Sequence, residues 1–97
     1  MNLVEVKKEM LSKGIRLNET YYINGEDNSL VVSVEAVHYG AIVTSEQSAE
    51  YMENEEQAVE VYQNLYDLLK VNIDYDESKS RFEKVGYKSP TSEDSNE

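Results

Sequence analysis

The chain has 97 residues, with 20 Asp and Glu against 9 Lys and Arg, one His, eight Tyr and no Cys or Trp. That length holds one small domain, and the lack of Cys excludes a disulfide framework, thiolate zinc sites and a thiol nucleophile. A net charge of -11 repels nucleic acid and anionic lipid, so a charge-driven partner must be basic.

Asn2 and Glu5 open the chain with capping-box spacing. Leu3, Val6 and Met10 keep helical spacing, with Val4 and Leu11 one face over. Gly14 offers a left-handed C-cap just after Lys13, so a first helix is predicted over about residues 3–13. Ile15 to Ile23 reads as a first strand, strongest at Thr20-Tyr21-Tyr22-Ile23. The turn signal Asn24-Gly25-Glu26-Asp27-Asn28-Ser29 follows, with Gly25 able to take a positive φ. Leu30 to Val37 is a second strand, with Leu30, Val32, Val34 and Ala36 on one face and Ser33 and Glu35 on the other. His38-Tyr39-Gly40 reads as a tight turn into a third strand, Ala41-Ile42-Val43-Thr44.

The polar stretch from Ser45 to Glu53 is either an irregular loop or a helical turn capped by Ser48. Asn54 and Gln57 repeat the capping-box spacing. Ala58, Val61, Leu65 and Leu68 then mark one face of a second helix over about 55–70, flanked by Tyr62 and Leu69. Val71 to Tyr75 reads as an added edge strand or an extended crossing. Glu77 to Val85 reads as a short helix capped by Asp76 and closed by Gly86, and Tyr87 to Glu97 as a disordered acidic tail. The predicted fold is α+β, one domain over residues 1–86. It has an N-terminal helix, a three-stranded antiparallel meander, a second helix packed on the sheet and a weaker C-terminal element.

Charge is distributed unevenly. Residues 1–16 carry a balance of +2 and the segment from Lys70 to Glu97 one of -2. Between them, Leu17 through Leu69 hold eleven acids and no Lys or Arg. Interleaved Glu–Lys pairs would add a few tenths of a kcal/mol each to a helix, and this stretch makes no use of them. Either the acids form a solubilising surface, or they form a negative surface kept for a positive partner. The two differ in salt dependence.

Glu46, Glu50, Glu53, Glu56 and Glu60 recur at three- and four-residue steps, with Glu55 and Asp67 nearby. If 46–60 is mostly helical, they form a carboxylate ridge with neighbours about 5–6 Å apart, similar in scale to phosphates along a DNA strand. Glu26 and Asp27 extend the negative area. Tyr39 and Tyr51, near predicted turns and acids, are interface candidates that can stack on Arg, whereas Tyr62 and Tyr66 read as core-edge packing.

Catalysis is poorly supplied. His38 is the only imidazole and reads as a polar turn residue, with no nucleophile-elbow or triad signature beside it. Asp74 to Ser80 begins like a calcium loop, but Lys79 stands where the loop needs Gly and Val85 where it needs a closing Glu. No glycine-rich phosphate motif occurs. The expectation is a protein with no catalytic residue, cofactor or dedicated metal site.

The order of helix, three-stranded meander and acidic helix resembles the phage-encoded inhibitors of CRISPR nucleases, closest to a small acidic class from prophages of Gram-positive bacteria. The likeness covers about residues 1–70 and is carried by three segments. These are the Met1-Asn2 helix with Glu9-Met10 and Lys13, Asp27-Asn28-Ser29-Leu30 opening a strand, and Gly40-Ala41-Ile42-Val43-Thr44-Ser45-Glu46 closing one. The resemblance implies that acidic loops and helix ends occupy the duplex-binding cleft that reads the short motif beside the target. Carried over, those residues are Glu26, Asp27, Glu46, Glu50, Glu53, Glu55 and Glu56. The chain departs from the family after its second helix, where mixed charges and a Ser-rich tail follow.

Two functions fit this reading. One is a non-catalytic inhibitor that binds a basic nucleic-acid-binding defence protein, a CRISPR nuclease or similar, and blocks its nucleic-acid site by acidic DNA mimicry. Its candidate contacts are Glu26, Asp27, Tyr39, Glu46, Glu50, Tyr51, Glu53, Glu55, Glu56 and Glu60, and it makes no direct contact with nucleic acid. The other is a small homo-oligomeric adaptor or structural phage protein, paired through an exposed strand edge and a Val31/Val37 face. No apolar run approaches the ~20 residues of a membrane helix. Met1-Asn2 leads into a charged helix rather than a signal peptide, so the expected compartment is the cytoplasm.

Overall fold

A computed structural model describes the backbone of residues 1–84 and the side chains of residues 1–74. Helix α1 spans Leu3–Ser12. Its capping box closes both ways: the Glu5 N–H donates to Asn2 Oδ1 at 2.8 Å and the Asn2 N–H to Glu5 Oε1 at 2.9 Å. At the other end Gly14 takes a φ of 87°. Its N–H donates to the Leu11 carbonyl, and the Ile15 N–H to that of Met10, the double bond pattern of a Schellman ending. Met10 and Ile15 both enter the core, so the cap also starts the packing.

Strands β1 (Arg16–Ile23), β2 (Leu30–His38) and β3 (Ala41–Ser48) form an antiparallel sheet in the order β1-β2-β3. The register sets Leu17 beside Ala36 and Ala36 beside Val43, so one face of the sheet receives the apolar residues of β2. Two helices follow, α2 (Ala49–Glu53) and α3 (Glu55–Lys84). Val6 and Met10 of α1, Val32, Val34 and Ala36 of β2, and Val61, Tyr62, Leu65, Tyr66, Leu69 and Ile73 of α3 form one core. Helices therefore cover a single face of the sheet, and the α+β class holds.

The third strand runs four residues beyond the predicted Thr44, because Ser45 and Gln47 pair with Val34 and Val32 of β2. Ser48 then caps α2, its Oγ accepting the Tyr51 N–H at 3.1 Å. In the β1–β2 turn the left-handed residue is Asn28, with φ 63°, rather than Gly25. His38 is not a polar turn residue. It ends β2 on the core side, 3% exposed, with its ring edge-on to Tyr39. Tyr39 and Gly40 alone make the hairpin, since His38 pairs with Ala41.

The predicted break after Lys70 is absent, and α3 continues without interruption to Lys84. Neither an edge strand at 71–75 nor a separate helix from 77 exists; one helix replaces both. Thirty residues at ~1.5 Å span about 45 Å, against about 30 Å for nine residues of β2. The end of α3 therefore runs past the sheet, and among the described side chains Ile73 is the last core residue it supplies. The closing Gly86 and the tail at 87–97 lie outside the described residues. Among those described, no helix is long and apolar enough to cross a membrane.

Candidate functional site

The register fixes which loops meet. Ile23 pairs with Leu30 and Val31 with Ser48, so the β1–β2 turn, the end of β3 and α2 share one end of the sheet. The Leu3 N–H donates to Glu55 Oε2 at 3.0 Å and joins the N-termini of α1 and α3. A cavity of about 400 Å³ at this end is lined by Leu3 of α1, Glu19 of β1, Leu30 of β2, Met52 and Glu53 of α2 and Ala58 of α3 among others, so five of the six elements converge there. Glu26, Asp27, Glu50, Glu53, Glu55 and Glu56 all belong to this pole.

Among the described residues, Lys7 is the one Lys or Arg that lines this cavity. Arg16 lies at the far end of the sheet, opposite Val37, and Lys13 at the far end of α1. Lys7, half-buried, stands 3.4 Å from Glu19 and over the Tyr62 ring. Six of the eleven acids of residues 17–69 thus gather at one end, with Lys7 partnered and Arg16 and Lys13 remote from it.

Several of these acids have local work. Glu50, Glu55 and Glu56 lie in the first turns of their helices, where carboxylates complement the dipole. Asp27 accepts the Ser29 hydroxyl at 2.7 Å and the Ser29 N–H, which holds its carboxyl below the usual range. Glu46 is not part of a helical ridge. It stands on β3 beside Ser33, on the face that the helices leave open, and accepts the Tyr22 hydroxyl at 2.8 Å. That bond raises the Tyr22 pKa. The helix that a continuous ridge from 46 to 60 requires is interrupted at Ser48 and again at Asn54, so the acids form a cluster of loop and helix ends. Among the described residues no hydrogen bond or ion pair engages the side chains of Glu26, Glu53 or Glu60.

The two tyrosines separate. Tyr39 is 79% exposed at the opposite end of the sheet, away from the acids. Tyr51 is half-buried and packs against the core from α2. Val31 and Val37 lie on the open face but are buried there, flanked in register by Tyr22 and Ser48 and by Arg16 and Ile42. They do not offer a free apolar surface.

Sequence reading missed the cluster of Glu19, Tyr62 and Lys7. Tyr62 donates to Glu19, and burial followed by that carboxylate pushes its hydroxyl well above the usual tyrosine range. The available signal was phase: Glu19 pairs with the core residue Val34, so an acid on that face requires a donor. Among the described residues no group of three or more His, Cys, Asp or Glu is arranged to hold a metal ion.

The fold and its charged end define a two-layer α+β protein with an acidic pole. No protein-family model matches the chain, and no curated protein or solved structure matches it.

Proposed function

We propose that the chain is a non-catalytic inhibitor that docks its acidic pole on the nucleic-acid site of a basic protein and excludes the nucleic acid. The observation that supports this reading is the pole itself. The β1–β2 turn, α2 and α3 bring six carboxylates to one end of the sheet, where Lys7 is taken up by Glu19 and where, among the described residues, the side chains of Glu26 and Glu53 are engaged by no internal partner. A solubilising surface needs no such segregation, whereas a mimic of a phosphate track does. A CRISPR nuclease is the instance to which the sequence resemblance points.

Capture from a bacterial lysate at ~0.1 M and ~0.5 M salt tests it, because exposed charge attraction is screened over that range. One basic nucleic-acid-binding protein should be retained at low salt, lost at high salt and displaced by duplex DNA. Charge reversal at Glu50, Glu53 and Glu56 would also remove the dipole complement of two helices. The cleaner variant is Glu26→Gln, Glu53→Gln and Glu60→Gln together, which touches no internal contact and should weaken capture at least tenfold. Equal capture by variant and wild type, insensitive to salt, would overturn the reading.

A further inference from the structure

Strand β1 is an edge, since the sheet order ends with it. The Asn24 N–H donates to the Ser29 carbonyl at 2.8 Å, and the two continue the antiparallel register of β1 with β2. By the alternation of such a ladder, the even residues of β1 bond to β2 and the backbone groups of Leu17, Glu19, Tyr21 and Ile23 point outward. Among the described residues no further strand or loop pairs with them. The edge is not blunted. It is eight residues long, keeps an unbroken register and holds no Pro or Lys. Its one acid, Glu19, is taken up by Lys7 and Tyr62. Tyr21 and Ile23, on the helix side of the sheet, are 58% and 55% exposed, so the helices leave that side of the edge open.

We infer that a second copy of this chain lays its own β1 antiparallel along this edge, about a two-fold axis at Thr20, and so joins the two sheets into one. The strand is complementary to itself in that register. Outward-pointing backbone groups meet outward-pointing ones, and helix-side residues meet helix-side residues. Leu17 of each copy opposes Ile23 of the other, Asn18 opposes Tyr22 and Glu19 opposes Tyr21, with no like charges face to face. An axis at Glu19 would set two carboxylates against each other, and one at Tyr21 would leave Leu17 unpaired and put Glu19 on Ile23. Charge selects the occupant. Arg16 begins β1 and makes no ion pair among the described residues, whereas Glu26 and Asp27 lie just beyond its end. The pairing sets Asn24 of one copy opposite Arg16 of the other, with the acidic turn directly following, and does so twice. The other edge, β3, holds no Lys or Arg and runs into the acids of α2, so it has no such complement to itself. The two acidic poles fall at opposite ends of the joined sheet. This inference does not depend on the function proposed for the pole.

Sedimentation equilibrium of the full chain tests it, since mass so measured is independent of shape. At ~100 µM the wild type should weigh about twice its 11.1 kDa. Ile23→Asp should raise the dissociation constant about tenfold or more. Ile42→Asp, at an exposed apolar position on the other edge strand, should leave it unchanged. Thr20 faces itself across the axis, so Thr20→Glu and Thr20→Lys should each weaken self-association about tenfold. An equimolar mixture of those two variants should pair to within about threefold of wild type, because opposite charges then meet at the axis. Arg16→Glu should weaken the dimer about fivefold. Thermal unfolding of each variant confirms that the core is intact, because every substituted residue lies outside it. A monomeric wild type would overturn the inference. So would a dimer indifferent to Ile23 or Arg16, one that Ile42→Asp disrupts as strongly as Ile23→Asp, or a mixture of the Thr20 variants that pairs no better than either alone.

Discussion

Tyr62 stands where α1, β1 and α3 meet. Its ring lies in the core, 1% exposed, its hydroxyl donates to Glu19, and Lys7 sits both over its face and beside the same carboxylate. A hydrogen bond to a charged acceptor contributes about 1.5–3 kcal/mol, so Tyr62→Phe should destabilise the fold by about that much at pH 7. The pH dependence has a definite sign. Burial and the Glu19 carboxylate raise the folded-state pKa above the unfolded value near 10. The Tyr62 contribution is therefore complete below about pH 10 and declines as pH rises further, because only the unfolded chain releases the proton readily. The stability gap between wild type and Tyr62→Phe, measured by urea unfolding, should be flat from pH 7 to 9 and narrow by pH 11. The other seven tyrosines are common to both proteins and cancel. A gap that stays constant to pH 11 would show that the hydroxyl makes no such bond.

Helix α3 explains where the sequence was legible and where it was not. Asn2, Gly14, Ser48 and Asn54 announced four helix boundaries, because a cap is a local bond between residues at most three or four positions apart. The alternation in Val71-Asn72-Ile73-Asp74-Tyr75 misled for an equally local reason. Ile73 belongs to the core stripe of a helix and Val71 to a second, exposed stripe, and two helical stripes interleaved imitate the period of a strand. The end of β3 was hidden because Ser45 to Ser48 have little strand propensity; pairing with the apolar β2 fixes their conformation. The same two stripes yield a paired prediction. Leu65→Ala should cost about 2–5 kcal/mol, since it opens a cavity in the core. Leu68→Ala, three residues on, should change the stability of the folded monomer by less than about 0.5 kcal/mol. Chemical denaturation at low protein concentration distinguishes them, and equal losses would contradict the assignment of the stripes.

At the scale of the whole molecule, composition revealed the surplus of acid but not its gathering at one end, which depends on the sheet register and on the bond between Leu3 and Glu55. Segregation of this kind has an energetic consequence that separates structural from functional roles. Apart from Glu19, which Lys7 partners, the carboxylates from Leu17 to Leu69 repel one another with no Lys or Arg in that stretch, and that repulsion weakens the compact state. Raising salt from ~0.05 M to ~0.5 M shortens the screening length from about 14 Å to about 4 Å, so the melting temperature of the free protein should rise. In the Glu26→Gln, Glu53→Gln, Glu60→Gln variant the rise should be smaller and the low-salt stability higher, because part of the repulsion is already gone. Association of the pole with a cationic surface must respond in the opposite direction, weakening as salt increases. Scanning calorimetry and binding measured over one salt series should therefore give slopes of opposite sign, both reduced by the same three substitutions. A melting temperature that falls with salt would mean that net attraction, not repulsion, governs the charges of the fold, and the pole would then be held together by pairs rather than kept free for a partner.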